Sequence, residues 1–266
     1  MRIQKVSAGR GAAWVNESIG LLKSGGKSIW APAVFVGILA SIPYVGSALG
    51  LVMIIFYGSL VLCFDKPNAG YTAFSGFSDG GFGRMLPLIV LNFGFAILAM
   101  VAIWPSIQPV FEAAISGAEP SAEQLMAMFT SLAKHLLWLL PVGILLSWII
   151  QFAVPLTSLK RLSGGAAIKV ALSAVVANVP ALIVNFLCLI AVVILAIIVL
   201  MIPIALISAA FSGNPMLVNL LLIPLTAVLT AIVLALMSGN MLYGYRDVFG
   251  EDAEPVTESK SSEVLL

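Results

Sequence analysis

Ionisable side chains are scarce in this sequence: its 266 residues include 13 Lys+Arg, 12 Asp+Glu and one His. Charged residues form 9% of the chain and hydrophobic residues 61%, whereas soluble globular domains have about 25% and roughly 45–50%. This composition excludes a soluble globular enzyme. Four stretches contain no charged residue, and each exceeds the ~20 apolar residues that a helix needs to cross a bilayer: 28–64, 85–111, 135–159 and 170–245. The sequence therefore predicts a polytopic membrane protein.

The charge-free stretches predict α-helices, because only helices and closed barrels satisfy their backbone hydrogen bonds in lipid and the alternation of barrel strands is missing. A Gly-Asn-Pro turn signal interrupts the longest stretch at 212–215, and proline and glycine interrupt the first at 41–46. The predicted fold class is all-α: a polytopic helical membrane protein with N-terminal and inter-span amphipathic interfacial helices. Its six predicted transmembrane helices are about 28–41, 44–64, 85–108, 135–159, 178–211 and 216–244.

The distribution of basic residues orients these helices. With six crossings and a cytoplasmic N-terminus, twelve of the 13 basic residues lie on the cytoplasmic side and only Lys134 lies outside, which is a strong positive-inside bias. A single crossing by 28–64 would remove that bias, because it would move five basic residues outside: Lys66, Arg84, Lys160, Arg161 and Lys169. An intramembrane hairpin formed by 28–64 is the structural alternative.

The N-terminal segment has an amphipathic pattern. Helical projection of residues 10–27 places Trp14 and Ser18 on one side and Arg10 and Lys23 on the other, and the segment lacks the short apolar core of a cleaved secretory signal. The first membrane helix is therefore expected to direct insertion. The predicted divisions of the chain are a cytoplasmic amphipathic interfacial helix at 1–27, a six-helix membrane domain at 28–245 and an acidic, disordered cytoplasmic tail at 246–266.

Two connecting segments have patterns of their own. Aromatic residues alternate with glycines over 67–84, which predicts a short segment at the membrane interface. In the long outer loop, Ser121 and Gln124 have the spacing of a capping box, and apolar residues follow at helical spacing. We expect a small surface helix there that leads into the fourth predicted span.

The sequence contains no recognisable catalytic or metal-binding set. Acidic and basic residues are missing from the depth of every predicted span, which removes the usual basis of ion-coupled transport. The only histidine, His135, has no neighbouring Cys, Asp or Glu with which to bind zinc, and Cys63 and Cys188 lie inside apolar stretches. The residue sets of intramembrane proteases do not occur. We therefore predict no catalytic activity, no cofactor and no metal, and the basic residues form no dense patch for nucleic acid.

Amides are the main polar groups within the predicted spans. In membrane helices they bridge neighbouring helices or line a substrate cavity, and both roles are open here. A cavity for a transported solute would lie near the membrane midplane. The candidate residues for either role are Asn92, Gln151, Asn178 and Asn185.

Four short motifs stand out in the sequence: Gly9-Arg10-Gly11-x-x-Trp14, Pro43-x-x-Gly46, Arg84-x-x-Pro87-Leu88 and Tyr243-x-Tyr245-Arg246-Asp247-x-Phe249. Together they resemble an uncharacterised family of proteobacterial six-span inner-membrane proteins, over about residues 6–249. The resemblance implies location and topology, and no catalytic residue carries over from it. It also motivates a candidate ion pair between Arg10 and Asp247 at the inner interface, if the first and sixth spans end side by side.

These observations lead to one preferred function and one alternative. The preferred hypothesis is an integral protein of the bacterial inner membrane, with both termini in the cytoplasm, that acts without catalysis as a membrane-embedded partner or scaffold. The alternative is a small permease or lipid-handling transporter built from two three-helix halves. The expected partners are membrane lipids, with another membrane protein or a second copy of the chain as further candidates, and no nucleic acid.

The predicted topology is testable with fusions to a reporter that is active only in the periplasm. Fusions after Gly117 or Asn214 should be active, and fusions after Gly76 or Gly165 should be silent, because basic residues keep the latter loops inside. Reporter activity and cell fractionation measure this directly. An active fusion after Gly76 would show that 28–64 does not cross the membrane twice.

Overall fold

The computed structural model describes residues 2–42, 45–117, 119 and 121–250. In these ranges the chain is helical and forms no strand, so the predicted all-α class is confirmed. A single 3-10 turn, Ser75–Phe77, lies between the third and fourth helices. The helices are α1 (Ala8–Ser24), α2 (Lys27–Ser41), α3 (Val45–Asp65), α4 (Gly81–Ile115), α5 (Ala122–Ser158), α6 (Gly164–Ala210) and α7 (Pro215–Phe249).

Four helices, α4 to α7, are long and apolar enough to cross a membrane. They have 35, 37, 47 and 35 residues, so each exceeds the ~20 residues that cross the hydrocarbon core. The 15 residues of α2 extend about 22 Å at 1.5 Å per residue, which is less than the ~30 Å of that core. Four helices of spanning length are therefore present among the described residues, and six crossings stay a prediction.

Several helices continue beyond the predicted spans. The capping box at Ser121 is present: Gln124 N donates to Ser121 Oγ at 3.1 Å, and Ser121 N donates to Gln124 Oε1 at 2.8 Å. The helix that begins there is continuous with the fourth predicted span, so the prediction of a separate surface helix was wrong.

The last helix runs to Phe249, so residues 246–249 are helical and are not part of the tail. Residues 251–266 lie outside the described residues.

A kink divides α6 at Asn178, whose backbone angles (φ −124°, ψ 22°) are not helical. Pro180 follows two residues later, and proline both lacks a backbone donor and displaces the carbonyl of the preceding turn. The kink separates an amphipathic part, 164–177, from an apolar part, 179–210. The amphipathic part of α6 therefore precedes the apolar part that contains the fifth predicted span.

One end of the bundle carries most of the charge and most of the buried core. Ion pairs join Arg10 to Asp247, Arg246 to Asp65 and Arg161 to Asp79, and this end is called the charged end below. The helices α3, α5 and α7 end there, and α4 and α6 begin there. In the opposite direction, α4 and the apolar part of α6 expose most of their side chains, as lipid contact requires.

The N-terminal helix is packed into the charged end and does not lie free on a surface. Its predicted apolar face is buried against α6 and α7, with Trp14 and Ser18 fully inaccessible. Gly11 makes the closest approach, because a Cβ atom there would collide with the backbone carbonyl of Ala181 and the backbone nitrogen of Asn185. Glycine at this position therefore allows α1 to touch the backbone of α6.

The contact predicts a difference between two glycines on one helix. Gly11→Ala should lower the free energy of unfolding by about 1–3 kcal/mol, because the added methyl group overpacks the contact with α6. Gly9→Ala is the matched control, since nothing lies within 4 Å of its Cβ position and alanine favours helix by up to ~1 kcal/mol. Unfolding temperatures of the two variants in detergent measure the effect. Equal stability of the two variants would contradict the close packing.

Candidate functional site

A cavity of about 300 Å³ lies between α5, α6 and α7. Most of its wall consists of Phe, Leu, Ile, Val and Met side chains from α6 and α7. The polar side chains of the wall are uncharged, so the cavity offers hydrogen bonds without an ionic partner. These polar residues are Ser147, Trp148, Gln151, Asn185 and Asn240.

The three amides of the wall come from three different helices. Each amide residue lies seven residues, or about 10 Å along its helix, from a polar residue at the charged end. The amide and end-residue pairs are Gln151 and Ser158 in α5, Asn185 and Asn178 in α6, and Asn240 and Asp247 in α7. The helices therefore place the amides together because they share this distance from the charged end.

The amide cluster has more hydrogen-bonding groups than partners. Asn185 Nδ2 donates to Gln151 Oε1 at 3.3 Å. Four buried atoms have no partner: Gln151 Nε2 and Trp148 Nε1, which are donors, and Asn185 Oδ1 and Asn240 Oδ1, which are acceptors. Gln151, Asn185 and Asn240 are 6%, 1% and 1% exposed. An unsatisfied buried polar group costs about 1–3 kcal/mol, so a bound molecule that met these atoms would be stabilised by them.

The cavity is suited to a neutral ligand. Its lining residues contain no ionisable group, and a charge placed there would remain uncompensated in a low-dielectric site. Two donors and two acceptors complement a molecule with hydroxyl, amide or ester groups. Among the residues that the structure describes, no three His, Cys, Asp or Glu side chains are grouped so as to hold a metal ion.

The structure separates the four predicted amides into different roles. Gln151 and Asn185 line the cavity and bond to each other, whereas Asn92 is half-buried on α4 and lies outside it. Asn178 binds the N-terminal segment: its Oδ1 accepts from Val6 N at 2.8 Å, and its Nδ2 donates to Gln4 O at 3.1 Å. Asn178 therefore has a visible structural partner and no place in the cavity wall.

Asn240 is a cavity residue that the sequence analysis missed. It lies near the end of the last predicted span, where an amide was not singled out. The signal that would have found it is the seven-residue separation from Asp247, which matches the separation of Asn178 from Asn185 in α6. That spacing has a meaning only once the charged end of each helix is known.

The structure brings Arg10 and Asp247 together. Arg10 Nε donates to Asp247 Oδ2 at 2.5 Å, and Arg10 Nη2 donates to Asp247 Oδ1 at 3.0 Å. Trp14 Nε1 donates to the same Oδ2 atom at 2.6 Å, and Arg10 Nη2 also reaches Glu17 Oε1 at 3.0 Å. The carboxylate of Asp247 thus accepts three bonds from α1, and Gln4 N adds a backbone bond to Val248 O at 2.7 Å.

The ion pair keeps Arg10 charged. The hydrogen bond to Asp247 raises the pKa of Arg10 above its ordinary value, against a smaller opposing effect of burial. A base with a raised pKa in the folded state contributes stability at every pH below its ordinary pKa and loses it only as the pH rises through the raised value. The contribution of Arg10 is therefore present throughout the neutral and moderately alkaline range.

Arg10, Trp14 and Asp247 form a set of contacts that we call the α1 clamp. This clamp comes close to the amide cavity at Gly244. A Cβ atom at Gly244 would lie 3.1 Å from Gln151 Nε2 and 3.5 Å from Trp14 Cε3. Trp14 also packs edge to face on Phe152, with ring centroids 6.5 Å apart. Trp14 therefore reaches from Asp247 at the charged end to the neighbourhood of Gly244, beside Gln151 of the amide cluster.

Comparison with protein-family models, with curated proteins and with solved structures finds no match to this chain. The assignment of a function therefore depends on the cavity and the α1 clamp themselves. Both are built from side chains of the chain's own helices, and both lie toward the charged end.

The α1 clamp predicts coupled effects of Arg10 and Asp247 on stability. Arg10→Ala and Asp247→Ala should each lower the free energy of unfolding by about 1–3 kcal/mol, between the values for exposed and fully buried pairs, because the side chains are 38% and 24% exposed. The charge-swapped double variant should recover part of the loss. Recovery stays incomplete because Trp14 loses its acceptor.

Thermal unfolding in detergent measures these variants, with Lys23→Ala as the control that removes an exposed charge from the same helix. The control should change stability by less than about 1 kcal/mol. Losses from the two single variants that simply add in the swapped protein would contradict the pairing.

Proposed function

We propose that this protein is an inner-membrane protein of a bacterium that binds a neutral amphiphile, such as a lipid, in the amide cavity and acts without catalysis. This proposal follows the alternative hypothesis of the sequence analysis, a small permease or lipid-handling transporter, rather than the scaffold hypothesis. The observation that carries it is the group of four unpartnered polar atoms on Trp148, Gln151, Asn185 and Asn240. A partner or scaffold function needs no such cavity, and packed side chains would satisfy or remove these polar atoms at less cost.

The walls of the cavity follow the polarity of a membrane amphiphile. The amides lie toward the charged end, and the α6 wall continues away from it through Leu189, Val193 and Ile194, which are wholly apolar. Five of the residues from 187 to 195 expose more than a third of their surface, including Ile190 and Ile194. A molecule with a neutral polar group at the amides and an acyl chain along α6 would satisfy both parts.

The depth of the amides supports a lipid rather than a solute at the midplane. About 20 residues of helix cross the hydrocarbon core, so counting from the far ends of α6 and α7 reaches about residue 190 and about residue 235. Asn185 and Asn240 lie five residues further toward the charged end. This is the level of the ester and glycerol groups of membrane lipids, which in a neutral lipid such as a diacylglycerol supply ester acceptors and a hydroxyl donor without charge.

The same proposal includes six crossings with both termini in the cytoplasm. The positive-inside distribution supports it, as does the resemblance to six-span inner-membrane proteins. The contacts Gln4–Val248 and Arg10–Asp247 put both ends of the described chain at the charged end, which favours an even number of crossings. In this arrangement α2 and α3 form the first two crossings, with the hairpin at 28–64 as the alternative.

The cavity amides predict a loss of ligand without a loss of fold. Asn185→Leu and Asn240→Leu should each change the free energy of unfolding by no more than ~2 kcal/mol, the upper range for hydrogen bonds between membrane helices. Both should purify with much less bound neutral lipid than the wild type, because the polar contacts of the cavity are gone. Lipid extraction with mass spectrometry measures the ligand, and complementation of a deletion strain measures the function.

Asn92→Leu is the matched control, because it removes an amide from a membrane helix outside the cavity. It should keep both the bound lipid and the complementing activity. Cavity variants that fold normally, retain lipid and complement would overturn the proposal and favour a scaffold role in which the amides only bridge helices.

A further inference from the structure

A second pocket, of about 320 Å³, opens at the charged end and shares no lining residue with the amide cavity. It lies between the end of α3, the loop that follows, the start of α4 and the end of α5. Hydroxyl groups of Tyr71, Ser75 and Ser78 line one side. The ionisable residues of its wall are Asp65, Lys66, Asp79, Arg84, Lys160 and Arg161.

The wall of this pocket is basic. It contains four cationic and two anionic side chains, which is an excess of two positive charges at neutral pH. Each acid already has a basic neighbour: Asp65 binds Arg246 at 2.8 Å, and Asp79 binds Arg161 at 3.2 Å. The acids are thus matched by arginines, and Lys66 and Arg84 bring charge to the pocket beyond these pairs.

Arg84 has an incomplete set of acceptors. Its Nη1 donates to the backbone carbonyl of Asp79 at 2.6 Å, which is a neutral group, and its Nε is buried without a partner. Guanidinium groups bind phosphate oxygens with two parallel hydrogen bonds. A phosphate in the pocket would supply the missing acceptor and the missing negative charge together.

Two loops that form the rim each contain a residue in an unusual backbone conformation. Asp79, in the loop after α3, and Arg161, in the loop after α5, have φ angles of 51° and 54°, in the left-handed region that disfavours residues other than glycine. These two residues are joined by their ion pair across the rim. The close packing of Gly76 on α3, where Gly76 N donates to Ser59 Oγ at 2.8 Å, anchors the loop after α3.

We propose that this pocket binds the phosphate of an anionic phospholipid headgroup. The position favours a lipid over a soluble phosphate: Phe74 and Phe82, on the loop and the first turn of α4, are 50% and 46% exposed beside it, as interfacial aromatics are. Basic pockets at the cytoplasmic ends of membrane helices recognise lipid phosphates in the same way. The site differs from the amide cavity in charge, position and ligand.

The test measures lipid binding to the purified full-length protein in detergent by native mass spectrometry. Phosphatidylglycerol should bind on the order of 10-fold more tightly than phosphatidylcholine of the same chain length. Arg84→Gln should weaken phosphatidylglycerol binding about 10-fold, as loss of a charge-assisted hydrogen bond does. Lys66→Gln, which changes an exposed side chain with no role in the fold, should reduce it in the same direction.

Lys134→Gln is the matched control, because it removes the same charge outside the pocket and should leave phosphatidylglycerol binding unchanged. Unchanged binding in both Arg84→Gln and Lys66→Gln would overturn the proposal. If inorganic phosphate at millimolar concentration competes equally with both lipids, the inference that the bound phosphate belongs to a lipid is overturned. Asn185→Leu should keep phosphatidylglycerol binding, so failure at one site is distinguishable from failure at the other.

Discussion

The carboxylate of Asp247 holds the first helix of the chain against the last. It accepts two hydrogen bonds from Arg10 and one from Trp14, and these residues are more than 230 positions away in sequence. A carboxylate at the end of a membrane helix is costly unless donors surround it, and α1 supplies them. Once α1 is held there, Trp14 lies beside Gly244, where the backbone of α7 also approaches Gln151 of the amide cluster.

Features that depend on local sequence were predicted well. The turn at 212–215 and the capping box at Ser121 are present, because proline, glycine and a serine three residues before a glutamine act on their own neighbours. The buried face of α1 also follows from helical periodicity alone. The long helices extend beyond the predicted spans, because the end of a charge-free stretch does not by itself end a helix. Nothing in the sequence stops α5 or α6 where the apolar stretch begins.

Features that depend on which helices meet were predicted only in part. Gln151 and Asn185 were candidates as membrane amides, but their shared cavity with Asn240 requires that α5, α6 and α7 pack side by side. Asn178 looked equivalent to them from sequence, and its position beside Pro180 at the kink gives it the N-terminal segment as its partner. The pairing of Arg10 with Asp247 came from a resemblance between motifs, since no spacing rule links the two ends of a chain.

One energetic constraint explains why the two candidate sites differ. A buried charged group costs several kcal/mol unless it is paired, so a buried cavity recognises a ligand most favourably through neutral hydrogen bonds and shape. The amides of the cavity, which are at most 6% exposed, meet that condition. At the charged end the ionic side chains are more exposed and several are paired with opposite charges, so arginines such as Arg84 are tolerated there. Under the two proposals, a neutral part of a lipid belongs at the amides and the phosphate of a lipid belongs at the charged pocket. The local polarity of the bundle would therefore set which part of a lipid each site is able to hold.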